Sequence, residues 1–429
     1  MFHLGWFTFD GVQGWGTPGY DAAAGWGSAG PAQAMVRELE RAAFDFVLLE
    51  DSSAVPDSYG GSMETYLKYG IGAPKFDPAV TAGYLADATT RIGIIPTLTT
   101  SFYPPYLLAR LTATLDHYSG GRTGVNIVTS SSEPAALNFG RDPLPDHDVR
   151  YDIADEYMDV LRKLWESWDA DAMVADVSTG VLADAAKVRR VDFDGRWFAS
   201  RGPLNVPRPP QGTPVIAQAG ASPRGRAFSS RHAEIVLTPV GDPGAMKAFR
   251  DDIRARAAAQ GRDPDRLKVM SLAFPFVFDT PAEADGFRAS LDQVPDHVVV
   301  AVLALVSSIT GIDLSRYDLD RPLPDDVQTN GSRGTLDWLR SGGATLRQIG
   351  LRQARLTPDN PLIGTVDEVA DTMDRFMKEV GGDGFLFAGG LSPHAVRPVV
   401  DKLVPALQAR GLVRTQYAHS TLREHLLEF

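Results

Sequence analysis

Short apolar runs alternate with stretches of helical periodicity along most of this chain, and the two periods place its elements. Phe2–Thr8 is apolar and aromatic and reads as a first strand. A Gly- and Trp-rich stretch follows, and from about residue 31 to 43 Met35, Leu39 and Ala42 recur on one helical face. Phe46–Leu49 predicts a second strand ending at Glu50-Asp51, two acids where a buried strand meets a loop. Asp77-Pro78 opens a helix, residues 91–96 read as a third strand, 103–117 as a helix and 123–128 as a fourth strand, with the polar loop Thr129-Ser130-Ser131-Ser132 after it.

From 148 to 168, Ile153, Tyr157, Val160 or Leu161, Leu164 and Trp168 keep the spacing of a long amphipathic helix. An Asp-Gly turn within 191–198 predicts a small hairpin, and further strands are expected in the apolar run that opens at Val215 and at 235–237, 269–278 and 385–387. Asp242-Pro243 opens another helix, and Thr280-Pro-Ala-Glu283 and Thr365-Val-Asp-Glu368 match the capping box. A last helix is expected over 393–410. The segment 307–344 is polar and irregular, and the tail to Phe429 has no strong pattern. About eight strand and helix alternations make a parallel sheet, open and doubly wound or closed as a barrel, and eight units favour the barrel.

The junction Val215-Ile-Ala-Gln-Ala-Gly-Ala-Ser-Pro-Arg-Gly-Arg226 pairs a buried strand with a helix start, Ser222 as N-cap and Pro223 at the first helical position. Unpaired backbone N–H groups, the close approach allowed at Gly220 and the Ser222 hydroxyl suit a phosphate, and Arg224 or Arg226 could add charge. The same twelve residues also fit an ordinary capped helix. In a barrel the anion site commonly follows strands seven and eight; here it follows the fifth or sixth apolar run, so the site is displaced or the strand count is off.

Composition narrows the classes. With 429 residues, 44% hydrophobic, 22% charged and a net charge of −12, the chain has ample length for a large core and no footprint for nucleic acid or an acidic membrane. It has no cysteine, which removes disulfides and thiolate chemistry and fits a reducing, cytoplasmic setting. No signal-like or membrane-spanning apolar run is evident. The eight histidines show no metal-ligand spacing, so no metal is expected. Gly14-Trp-Gly-Thr-Pro-Gly19 matches the dinucleotide glycine pattern formally, but no helix follows directly and no acid stands on a following strand end. His147 and Tyr151 are four apart, so a helix starting there puts both on one face toward a ligand; a solvated helix start is the plainer alternative. Asn126 inside an apolar strand must find polar partners, and Asp51 ends another strand.

Several motifs occur together in one order: Gly-Arg-Thr-Gly-Val-Asn-Ile-Val-Thr-Ser at 121–130, His-Asp-Val-Arg-Tyr at 147–151, Gly-Pro-Leu-Asn-Val-Pro-Arg-Pro-Pro-Gln-Gly at 202–212 and Gln-Ala-Gly-Ala-Ser-Pro-Arg-Gly-Arg at 218–226. Phe-Tyr-Pro-Pro-Tyr-Leu-Leu-Ala-Arg at 102–110 and Thr-Leu-Arg-Glu-His-Leu near the end accompany them. Over nearly its whole length the chain resembles the flavin-dependent monooxygenases of the bacterial luciferase-like superfamily, in the branch of nitrilotriacetate and dibenzothiophene-sulfone monooxygenases.

The resemblance implies a single (β/α)8 TIM barrel over 1–429, with insertions near 170–212 and 307–344 and a C-terminal tail at 411–429. It implies FMN at the C-terminal mouth, delivered as FMNH2 by a separate NAD(P)H:flavin reductase, with O2 as co-substrate and chemistry through a flavin peroxide. Carried over by position, Asp51, Thr97, Asn126, His147 and Tyr151 would surround the ring and ribityl chain, and Gly220, Ala221 and Ser222 would hold the phosphate. His147, Tyr151 and Asn126 would be catalytic. Val125 departs from relatives, which usually carry Trp beside the Asn, and this departure is expected to reshape the pocket. The substrate would be a small organic molecule, heteroaromatic or bearing sulfur or nitrogen, cleaved at a C–N or C–S bond; Trp6, Trp15, Trp26, Tyr66 and Tyr69 are candidates to line the mouth or, equally, to pack under long loops. A homodimer or homotetramer is expected. Riboflavin breakdown, a deazaflavin-dependent oxidoreductase and a flavin-binding protein without turnover are the alternatives.

Overall fold

The computed structural model describes residues 1–8, 29–141, 144–239, 242–354 and 357–429. The Gly14–Gly19 pattern, Trp15 and Trp26 lie outside the described residues. Eight strands, β1 (His3–Thr8), β2 (Phe46–Leu49), β3 (Gly93–Thr99), β4 (Gly124–Val128), β5 (Val215–Ala219), β6 (Ile235–Pro239), β7 (Lys268–Ala273) and β8 (Gly384–Ala388), run parallel and close in sequential order. Eight helical segments follow them in turn: α1 (Ala29–Arg41), α2 (Pro78–Asp87), α3 (Pro105–Ser119), α4 (His147–Trp165), α5 (Pro223–His232), α6 (Pro243–Ala259), α7 (Val366–Val380) and α8 (Pro393–Pro398), the last continuing through a wider π turn to Ala409. This is the (β/α)8 TIM barrel that the alternation favoured, and the open sheet is excluded.

Strand side chains alternate between two layers, as period two requires. Phe46, Leu48, Ile95, Val215, Ala217, Ile235, Met270 and Leu386 pack together inside the barrel. Leu4, Trp6, Val125, Ile127, Ile216 and Phe387 belong to the larger cluster shared with the helices. Helix starts follow local chemistry: Asp77 accepts from the backbone N–H of Ala79 and Val80, and the capping boxes at Thr280/Glu283 and Thr365/Glu368 both form.

Two departures from the sequence expectation concern the second half of the chain. The apolar run 269–278 is not one strand: β7 ends at Ala273, and Phe276–Phe278 pairs instead with Ile363–Thr365 outside the barrel. That pair brackets the helices Pro281–Ser290, Asp296–Thr310, Arg333–Arg340 and Leu346–Gln353, so 307–344 is not irregular throughout. Val299, Leu303, Val306, Leu336, Leu339 and Leu346 give this insertion an apolar cluster of its own. Before β5, Met173–Asp176 pairs with Val181–Ala183, and Phe193–Asp194 with Ala199–Ser200 in the hairpin that the Asp-Gly turn suggested.

The tail is ordered too. Thr421 and Glu424 form a capping box for the short helix Leu422–Leu426, whose leucines join the inner barrel cluster from its N-terminal end.

Candidate active site

The C-terminal ends of β2 to β5 carry the polar groups of the mouth. Thr97 and Asn126 are register partners on β3 and β4, both buried, and the Asn126 side-chain N–H donates to Thr97 Oγ1 at 2.9 Å. The Asn126 carbonyl oxygen is buried without a partner among the described residues. An orphaned acceptor of this kind costs about 1–3 kcal/mol unless a ligand donor meets it.

The β5–α5 junction supplies the second half. Ser222 is extended and its Oγ accepts the Gly225 N–H at 3.0 Å, which leaves the hydroxyl proton to donate to His147 Nε2, 3.5 Å away, or to an oxyanion. A Cβ on Gly220 would fall 2.8 Å from Gln218 Nε2 and one on Gly225 3.0 Å from Tyr151 Oη, and each would fall 3.1 Å from the other's Cα, so the two glycines let the turn close tightly. The turn follows barrel strand five, so the strand count was sound.

His147 and Tyr151 open α4 and meet edge to face, with ring centroids 5.2 Å apart, on one face as their spacing implied. His147 Nδ1 lies 2.6 Å from Asp148 Oδ1 and its Nε2 3.5 Å from Ser222 Oγ. The carboxylate therefore holds the proton on Nδ1, and Nε2 faces the phosphate-type turn. Burial raises the Tyr151 phenol above its ordinary range against the opposing Gln218 hydrogen bond. Gln218 Nε2 is 3.5 Å from the Tyr151 hydroxyl, and Gln218 Oε1 accepts from Ser229 Oγ. Gln218 thus links Tyr151 to Ser229, and it was not among the residues singled out from the sequence. Its only signal was a polar amide in a buried strand, the same signal that drew attention to Asn126.

Asp51 sits at the end of β2 in a carboxylate pair with Glu50, and Lys75 makes an ion pair with Glu50. Burial pushes the Asp51 carboxyl up to about 6, with Lys75 opposing and Glu50 reinforcing the shift. Lys75 had no motif to announce it; a long loop brings it to the strand end.

Other expectations are corrected. Arg224 is bound to Asp152 and Asp155 at 2.8 and 2.5 Å, and Arg226 to Asp252 at 3.1 Å and to the Ala221 carbonyl, so neither is spare charge for the turn. Trp6 is fully buried between barrel and helices and donates to Gly389 O, because strand alternation points it outward. Val125 faces the same layer, so its difference from Trp lies outside the mouth. Tyr66 is buried and ties the β2–α2 loop to the insertion by donating to Ala304 O at 2.9 Å, and Tyr69 stacks on His297. Arg150, buried next to Tyr151, donates to Pro145 O and to Asn330 O of the insertion. Among the described residues no cluster could hold a metal ion, and no helix is long and apolar enough to cross a membrane.

A closed parallel barrel with polar side chains gathered at its C-terminal mouth has the architecture of the TIM-barrel enzymes. The sequence matches the luciferase-like monooxygenase family over residues 2–384, and the chain belongs to that family. It is 40% identical to the dibenzothiophene-sulfone monooxygenase of Rhodococcus erythropolis over 403 residues, 92% of this chain and 88% of that one. Against nitrilotriacetate monooxygenase component A of Aminobacter aminovorans it is 37% identical, covering 91% and 88%. The crystal structure of a riboflavin lyase with modified FMN and riboflavin superposes with a TM-score of 0.90 at 32% identity, covering 100% of this chain and 96% of that one. The protein is thus a monooxygenase of a family that works with reduced flavin and dioxygen.

Proposed function

We propose that the protein is the oxygenase component of a two-component system. It takes FMNH2 from a separate NAD(P)H:flavin reductase and uses O2 to oxidise a small organic substrate bearing sulfur or nitrogen. The observation that carries this reading is the buried Asn126 carbonyl oxygen, without a partner among the described residues, set on the same mouth as the Ser222 turn. A flavin offers both complements, an N–H edge for the amide and a phosphate for the turn.

Bound reduced flavin would supply the activation of dioxygen, and the protein's part is to hold, orient and keep water away. Asn126 and Thr97 would meet the ring edge, with Asp51 at the neighbouring strand end. The Gly220-Ala221 backbone and Ser222 would hold the phosphate. His147, with its proton fixed on Nδ1 by Asp148, offers Nε2 to accept or return a proton at the reacting oxygen, and the Tyr151 hydroxyl lies beside the turn. The names of the curated relatives support a C–S or C–N substrate, while likeness to the riboflavin lyase supports a second reading in which a flavin is itself the substrate.

The test is an anaerobic titration with reduced FMN, followed by rapid mixing with oxygen and a screen of sulfones, amines and riboflavin for oxygenated product. Saturable binding with product formation is expected; absence of reduced-FMN binding would sink the reading. His147→Ala is expected to keep flavin binding while raising hydrogen peroxide release relative to product. An unchanged ratio would remove the proton role from His147.

A further inference from the structure

A cavity of about 560 Å³ lies at the N-terminal end of the barrel, beside Ile216 at the start of β5 and Trp165 at the end of α4. Five arginines line it, Arg162, Arg231, Arg262, Arg266 and Arg423, against two carboxylates, Glu234 and Asp263. The excess of three positive charges stands out in a chain of net charge −12.

Three of the five have a carboxylate within 4 Å, two of those only at long range, and Arg262 and Arg266 have none among the described residues. Arg423 is spent, held to both oxygens of Glu234 at 2.6 and 2.9 Å. Arg231 reaches Asp155 and Asp159 only at 3.7 and 3.8 Å, and Arg162 reaches Asp159 at 3.8 Å. The 2.7 Å hydrogen bond of Arg162 goes instead to His232 Nδ1, whose Nε2 is 2.5 Å from Asp155; that arrangement requires a neutral imidazole. Arg262 donates to the Ser230 and Ala233 carbonyls, both at 2.7 Å, and to no carboxylate among the described residues. Arg266 is exposed and makes no ion pair among the described residues. Burial and neighbouring guanidiniums push Arg162 and Arg262 below the ordinary arginine range.

We propose that this cavity binds a phosphate-type oxyanion, free or carried by a nucleotide. Guanidinium forks match tetrahedral oxyanions in geometry, and an anion there would relieve the mutual repulsion of the arginines. The volume exceeds what one phosphate needs and falls among small-molecule sites. The site is separate from the flavin mouth: Arg231 and His232 end α5, whereas Ser222 begins it, ten residues and roughly 15 Å away.

The test is isothermal titration of the whole protein with inorganic phosphate and, separately, with ADP at fixed ionic strength. It compares wild type with Arg266→Glu and with Arg231→Glu/Arg266→Glu, both at exposed positions. Saturable binding that weakens about tenfold or more in the double variant is expected. Phosphate and ADP binding alike would assign a free oxyanion, and ADP tenfold tighter would assign a nucleotide. No saturable heat with either probe, or heat that both variants leave unchanged, overturns the proposal. The latter would place any binding at the Ser222 turn, so the outcome leaves the flavin reading intact.

Discussion

Asn126 donates a side-chain N–H to Thr97, and its carbonyl oxygen has no partner among the described residues. Asn126→Ala is expected to weaken reduced-FMN binding by about 1–2 kcal/mol, roughly five- to thirtyfold in an anaerobic titration, with the fold intact by circular dichroism. Asp51 makes a different test. Its carboxyl is pushed from 3.8 to about 6 by burial, so the folded chain holds this proton more tightly than the unfolded chain between those values. The stability that the neutral carboxyl contributes is complete below about pH 4 and lost as pH rises through 6. Asp51→Asn should therefore raise Tm relative to wild type at pH 8 and change it little at pH 4; an equal change at both would remove burial as the cause. At this scale His147 and Tyr151 were legible because four residues is one helical turn. Lys75 and Gln218 were not, since the sequence does not say which distant group a side chain meets.

Among the elements, the tail helix Leu422–Leu426 had the weakest signal and has a large structural role. Leu422 is fully buried in the inner cluster, and a Cβ on Gly93 would come 2.6 Å from its Cδ1 and 3.1 Å from the Asp45 carbonyl. Leu422→Ala is expected to cost about 2–5 kcal/mol in urea unfolding. Gly93→Ala is expected to cost about 1–3 kcal/mol by overpacking, and less in the Leu422→Ala background, where space has been made. Strictly additive costs would mean that the two do not share the contact. Five residues carry too little periodicity to announce a helix, although the capping box at Thr421 and Glu424 was there to be read. The 269–278 run misled for a related reason: an apolar run states that a segment is buried but not against which sheet.

Across the whole molecule, Asp45 joins the start of β1 to the segment after α8. It accepts from His3 Nδ1 at 3.0 Å, Leu4 N at 2.8 Å and Arg414 at 2.7 Å. Burial alone would raise its carboxyl, but His3, Arg414 and the Leu4 N–H outweigh it and hold the group below the ordinary carboxylate range. The stabilisation is thus present above about pH 4 and lost as pH falls through the lowered value. Asp45→Asn should cost about 3–5 kcal/mol at pH 7, and the gap to wild type should narrow as the pH approaches 3. A gap constant with pH would mean that the charge is not what matters. The sequence by itself determined the alternation of eight strands and helices, the Ser222 helix start and the pairing of His147 with Tyr151, because period and capping are local. The tertiary structure alone decided that Trp6 and Val125 face the helices, that Arg224 and Arg226 are taken by carboxylates, and that five arginines converge beneath the barrel. Those outcomes depend on which elements closure brings together, and closure is a property of all eight strands at once.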